Sequence, residues 1–155
     1  MSALTIATVE DMHTLGQRLA AVLAPGDLVL LSGDLGAGKT TLTQGIGAGL
    51  GVQTPVLSPT FVIARVHRDG RIPLVHVDAY RLDSVDEVDD LDLDASLDES
   101  VTVVEWGTGK AERLAADRLE LRISRSADPA DETRTIDLTW HGPRWDRFRL
   151  DDLTA

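Results

Sequence analysis

Apolar positions in the first fifty residues fall into two short runs and two stretches of helical spacing. Leu4 to Thr8 reads as a first strand. From there Val9, Met12, Leu15, Leu19 and Val22/Leu23 recur every three or four residues, which makes one apolar helix face. Thr8 stands as its N-cap with Asp11 three residues on, an approximate capping box, and Pro25-Gly26 ends it. Asp27-Leu28-Val29-Leu30-Leu31-Ser32 has the length and composition of a buried strand. Thr40 to Leu50 then winds as a helix that Gly49-Leu50-Gly51 closes.

Strands predominate afterwards. Thr54 to Phe61 carries Pro55 and Pro59, which resist helix and favour extended backbone. Phe61 to His67, the turn Arg68-Asp69-Gly70-Arg71 and the run Ile72 to Val77 form an expected hairpin. Val101 to Val104 is a buried-type strand running into Glu105-Trp106-Gly107, and Thr108 to Ala116 can be a helix. Arg118 to Ser124 and Thr133 to Thr139 alternate apolar with polar, as a C-terminal antiparallel hairpin around Asp128-Pro129 would. His141 to Ala155 is polar and charged. The expected organisation is therefore one domain over 1–140 and a loosely held tail over 141–155.

Between the strands lies Gly33-Asp34-Leu35-Gly36-Ala37-Gly38-Lys39-Thr40, which fits Gly, four residues, Gly-Lys-Ser/Thr. This is the phosphate-binding P-loop pattern, and a strand before it and a helix after it are the context it needs. Glycines let successive N–H groups turn inward toward phosphate oxygens, and the new helix adds its positive end. Lys39 can reach the β- and γ-phosphates, and the Thr40 hydroxyl can serve Mg²⁺. The chain holds only two lysines, Lys39 and Lys110, among 15 basic residues, so lysine is the unusual choice here.

Such a loop needs an acid for the metal, usually at the end of a neighbouring strand. Asp78 ends one candidate strand and Glu105 another, and the residues alone do not rank them. Ser58-Pro59-Thr60-Phe61 is a polar loop of the kind that senses a γ-phosphate, and equally fits a strand-entry loop. Trp106, next to Glu105, can stack on a nucleotide or cap the core. Arg81 can neutralise phosphate charge or pair with the acidic stretch that follows it. Gly107-Thr108-Gly109-Lys110 lacks the spacing of a second phosphate loop.

Charge narrows the field. The formal net charge of −11 argues against the chain gripping nucleic acid by itself. Nine acids and no base lie between Asp83 and Glu99, interleaved with Val85, Val88, Leu91, Leu93 and Leu97; this reads as short helices with a solvated acidic face, or as a docking surface for a basic partner. The absence of cysteine excludes disulfides and thiolate metal sites, and the four histidines lack metal-ligand spacing. No basic segment followed by an apolar run opens the chain and no stretch approaches ~18 apolar residues, so the cytoplasm is the expected location. Guanine readers use an Asn-Lys-x-Asp loop, and the chain has no asparagine, which favours ATP.

Taken in order, Gly33 to Thr41, Ser58-Pro59-Thr60-Phe61, His76-Val77-Asp78-Ala79-Tyr80-Arg81-Leu82 and Val104-Glu105-Trp106 resemble the TsaE (YjeE) ATPases of bacterial tRNA threonylcarbamoyladenosine synthesis. The resemblance spans most of residues 1–120. It implies a small α/β domain of P-loop NTPase type, with a mixed central sheet flanked by helices. It implies ATP phosphates at Leu35 to Thr41, including Gly36, Ala37 and Gly38, and Mg²⁺ held by Thr40 and Glu105 with Asp78 at the Walker B position. Thr60 would lie in a switch-like loop and Trp106 near the nucleotide. The implied activity is a weak Mg²⁺-dependent ATPase that works with the TsaD and TsaB subunits. Those subunits transfer threonylcarbamoyl to adenosine 37 of ANN-decoding tRNAs, so tRNA is met only through the complex, and hydrolysis resets it. Ala79 departs from the larger apolar residue the family often carries.

Two other functions remain open from the residues. A small-molecule kinase would need an acceptor pocket and an arginine-bearing lid, for which Arg65, Arg68 and Arg71 at a turn are poor material. A nucleotide-gated adaptor would need binding without useful turnover. No residue declares itself as the water-orienting base; Glu105, Thr60 and Asp34 are all candidates, and the base contacts have no signature.

Overall fold

A computed structural model describes residues 2–33, 37–56, 64–78, 98–105, 117–128 and 130–153. Its elements in chain order are strand β1 (Ser2–Ile6), helix α1 (Val9–Val22), β2 (Leu28–Gly33), helix α2 (Lys39–Leu50), β3 (Ala64–His67), β4 (Leu74–Asp78), β5 (Val101–Glu105), β6 (Arg118–Arg125) and β7 (Arg134–His141). All seven strands join one mixed sheet in the order β1-β7-β6-β2-β5-β4-β3. The centre is parallel: β2 pairs with both β5 and β6, and β5 with β4. The margins are antiparallel, with β3 on β4, β7 on β6 and β1 on β7.

The central strands are apolar without alternation because both their faces are buried. Val29, Leu31, Leu74, Val101, Val103, Leu121 and Ile123 face the core shared with α1 and α2. Leu30, Val75, Val77 and Val104 point the other way and are buried as well. Both described helices lie on the first face. There α1 contributes Met12, Leu15 and Leu19, and α2 contributes Leu42, Ile46 and Leu50. Thr8 caps α1 by accepting from the Asp11 N–H, as the capping pattern anticipates.

The helices meet at glycines. A Cβ on Gly45 would overlap the His13 carbonyl oxygen, and one on Gly16 would press on the backbone of Leu42 and Ile46. Only hydrogen at these positions lets the two backbones approach so closely. The contact fixes the start of α1 beside the start of α2.

The expected C-terminal antiparallel pair forms as β6 and β7 and is built into the sheet: β6 also pairs with β2, and β1 from the other end of the chain closes against β7. Two expectations need correction. The stretch after 141 is not loosely held as far as it is described. Two 3₁₀ turns, Pro143–Trp145 and Leu150–Leu153, bring Trp145, Phe148 and Leu153 into the core. Trp145 and Trp140 both meet the Phe148 ring edge to face, at 5.6 and 5.0 Å between centroids. The Arg144 guanidinium lies 4.3 Å over Trp145 while bonding Asp27. These few aromatics outweigh the polar composition of the segment. Finally, Val9 is 51% exposed rather than on the core face, because it stands at the first position of the helix. The expected helix over 108–116 and nearly all of the acidic stretch over 83–99 lie outside the described residues.

Two outcomes follow for stability. Trp145→Ala should destabilise the fold by about 3–5 kcal/mol, the cost of emptying a buried aromatic site, measured by urea unfolding followed by circular dichroism; a change under ~0.5 kcal/mol, as for an ordinary surface position, would mean the segment is loose. Gly45→Ala should cost about 3 kcal/mol or more, since the obstacle is backbone and cannot rotate away.

Candidate functional site

Chemistry-bearing residues gather where the parallel strands end. The register sets Leu31 opposite Glu105 and Glu105 opposite Asp78, so the two acids end adjacent strands side by side. Alternation puts both on the helix-bearing face. The chain leaves β2 at Gly33 and enters α2 at Lys39; of the loop between them, Ala37 and Gly38 are described. Gly33 (φ 144°) and Gly38 (φ 115°) hold backbone angles that side chains rarely adopt. Gly38 is the N-cap of α2 and offers no side-chain cap, so the first N–H groups of that helix point out toward the strand ends.

Lys39 is buried, and its ammonium donates to the Gly33 carbonyl at 2.7 Å, folding back across the loop. Thr40 follows, with its Oγ1 3.4 Å from Glu105 Oε1. That is long for a hydroxyl–carboxylate hydrogen bond. Glu105 is 3% exposed, and its other oxygen, Oε2, lies 2.8 Å from Nε2 of the fully buried His76. An ionised carboxylate only accepts, so Nε2 carries the hydrogen and His76 donates. Its Nδ1 has no hydrogen-bond partner among the described residues.

Beside the loop a small open cleft of about 80 Å³ is lined by Thr8, Val9, Met12, Ala37, Gly38, Thr41, Glu132 and Arg134. Its far wall is held by Arg134, whose guanidinium donates to the carbonyls of Ala37, Asp131, Glu132 and Thr133. One side chain thus ties the turn before β7 to the loop before α2.

At the other end of the strands from Glu105, beside the turn between β3 and β4, residues 53–56 are clamped. Asp69 accepts from the N–H groups of Gln53 and Thr54 and from the Thr54 hydroxyl, and these bonds hold its carboxyl below the usual range. Thr54 Oγ1 also meets His67 Nδ1 at 2.9 Å, and Gln44 donates to the Val56 carbonyl.

The structure therefore brings together Gly33, Ala37, Gly38, Lys39, Thr40, Thr41, Asp78 and Glu105 among the residues the sequence singles out. Leu35, Gly36, Thr60 and Trp106 lie outside the described residues, as do Asp34 and Arg81. Sequence reasoning missed the cleft wall, namely Thr8 and Val9 at the start of α1 together with Glu132 and Arg134, because it is built from distant parts of the chain. It also missed the tie between His76 and Glu105, for which the strand register was the missing information. Thr40, Glu105 and Asp78 offer only oxygen donors, which suit a hard cation; among the described residues no group of three or more His, Cys, Asp and Glu side chains gathers for a metal.

The family described as threonylcarbamoyl adenosine biosynthesis protein TsaE matches residues 6–136. This chain belongs to the TsaE family. A curated relative from Streptomyces coelicolor, named tRNA threonylcarbamoyladenosine biosynthesis protein TsaE, is 63% identical over 139 residues, covering 86% of this chain and 93% of the relative. A Bacillus subtilis relative of the same name is 41% identical over 138 residues, covering 88% and 84%. The crystal structure of Bacillus subtilis YdiB superposes with a TM-score of 0.78 at 33% identity, over 99% of this chain and 93% of that one. The family match spans both the Gly33–Thr40 motif and Glu105, and stops at Ile136 within β7.

His67 supplies a pH test of the clamp. Burial holds its imidazole below the ordinary value of 6.5; His76 and Arg65 push the same way and Asp69 opposes them. The folded chain then binds this proton less readily than the unfolded chain. The contribution is fully present above about pH 6.5 and is lost as pH falls through the lower folded value. The urea midpoint should therefore drop on acidification from about pH 7.5 to 5.5, and drop less in His67→Gln. Equal slopes in the two proteins would show that His67 contributes nothing.

Proposed function

We propose that this chain binds Mg²⁺-ATP and hydrolyses it slowly, as the nucleotide-dependent subunit of a threonylcarbamoyladenosine-forming system in which TsaD and TsaB carry tRNA and the transfer. The observation that carries the reading is the side-by-side ending of β2, β4 and β5, which sets Lys39, Thr40, Asp78 and Glu105 around the start of α2. Relatives named for threonylcarbamoyladenosine biosynthesis supply the process.

In this reading Gly33 to Thr41 is the phosphate loop. Its N–H groups and the positive end of α2 bind the phosphates. Lys39 exchanges the Gly33 carbonyl for phosphate oxygens and stabilises the charge that develops during transfer. The cleft between Thr8–Met12 and Arg134 takes the nucleoside; its apolar wall and few polar groups are the usual composition of such a site. Thr40, Glu105 and Asp78 are the residues that hold the cation. Thr40 Oγ1 and Glu105 Oε1 stand 3.4 Å apart, close enough to serve one hard cation. The ion, when bound, would supply positive charge to the phosphates. With a net charge of −11 the chain suits a subunit that leaves RNA to its partners. Among the described residues no helix is long and apolar enough to cross a membrane.

The test is ATP turnover by the purified chain, alone and then with TsaD, TsaB and tRNA. Slow release of free phosphate that changes when the partners are added is expected. Lys39→Ala should lower turnover by about 100-fold or more, the scale seen when one transition-state donor is removed. Nucleotide binding that ignores the partners in both rate and affinity, or phosphate appearing on an added metabolite, would overturn the reading.

A further inference from the structure

His76 lies on β4 two residues before Asp78, on the same face of the sheet. Its side chain is wholly buried, and among the described residues its ring hydrogen-bonds to Glu105 Oε2 at 2.8 Å. The opposite carboxylate oxygen, Oε1, faces Thr40. A carboxylate on a flexible side chain has several rotamers, and a bond to one oxygen from a ring that cannot move selects among them. The ring is held in turn. Val103 is its register partner on β5 and Arg65 its partner on β3, so the imidazole is enclosed by paired strands.

We infer that His76 is a positioning residue for the cation ligand: its Nε2–H fixes Glu105 with Oε1 turned toward Thr40, so that the metal-binding oxygens are assembled before nucleotide and metal arrive. This rests on the proposal that Glu105 and Thr40 hold the metal. A purely structural histidine would set stability alone, whereas a positioning histidine sets how tightly the cation is held while leaving metal-free nucleotide binding intact. The phosphate loop and the nucleoside cleft are built from other elements.

Two substitutions separate these roles. Glutamine can place an amide N–H where Nε2 stands, and asparagine can reach only as far as Nδ1. In His76→Asn the affinity of the full chain for Mn²⁺, measured by electron paramagnetic resonance with ADP present, should fall about 10- to 100-fold, the usual cost of losing a group that orients a metal ligand. His76→Gln should stay within about threefold of the unaltered protein, a gap of under one factor of ten and so under ~1.4 kcal/mol. Affinity for ADP in the presence of a chelator should not change in either variant. In a Glu105→Ala background His76→Asn should have no further effect on Mn²⁺, because the histidine acts through that carboxylate. The inference is overturned if Asn and Gln behave alike, if metal-free ADP binding falls in parallel with Mn²⁺, or if His76→Asn still weakens Mn²⁺ in the Glu105→Ala background. Failure of the unaltered chain to bind Mn²⁺ with ADP would instead overturn the proposed function itself.

Discussion

A carboxylate with 3% of its surface exposed, at the end of the most enclosed strand, is the constraint around which this molecule is arranged. Burying Glu105 is unfavourable unless its oxygens are satisfied. The sheet meets that demand from both sides, with His76 on β4 and Thr40 at the start of α2. Either contact requires the parallel register of β2, β5 and β4, since a slip by one residue would turn Glu105 or His76 to the opposite face. The acid is thus placed by the same pairing that builds the core.

A second constraint acts from the helices. Because Gly16 and Gly45 let α1 and α2 touch backbone to backbone, the first turn of α1 comes to rest against Gly38 and Thr41. The beginning of the chain becomes one wall of the cleft, and Arg134, more than ninety residues beyond the loop it braces, becomes the other. A ligand seated there would touch both, so its binding energy would be shared with the closure of β1 and β7 onto the sheet. Ligands that bind only the folded form stabilise it by mass action, and one seated here would draw on the most distant contacts in the chain.

Much of this was legible in the sequence, for identifiable reasons. Local patterns were sufficient for the Thr8 cap, for α2, for the buried runs that became β2 and β5, and for the two antiparallel pairs. Motif spacing singled out Lys39 and Thr40, and the ends of candidate strands singled out Asp78 and Glu105. What local patterns lack is neighbourhood. Nothing in Arg118 to Arg125 says that this strand will pair with β2 as well as β7, and nothing near Arg134 points to Ala37. The stretch after His141 misleads through its composition. Trp145 and Phe148 are few among charged residues, yet both are buried and together they hold the segment against the core. Val9 misleads in the opposite sense: helical spacing assigns it to the core, while its place at the first turn leaves it in the cleft.

The choice between Asp78 and Glu105 shows what pairing adds. By sequence both are acids at strand ends, and by register they are neighbours. Their surroundings differ. Asp78 is partly exposed at the end of β4, whereas Glu105 is enclosed and held by oriented partners on both oxygens. A ligand that touches a cation directly gains from such pre-orientation, because its rotamer freedom is already surrendered on folding rather than on binding. A more solvated acid is better suited to act at longer range, through water or through the field of its charge. Under the proposed function, the direct contact falls to Glu105 and the outer role to Asp78. A histidine suits the place behind Glu105 better than a more mobile lysine or arginine, because it gives one rigid hydrogen bond there.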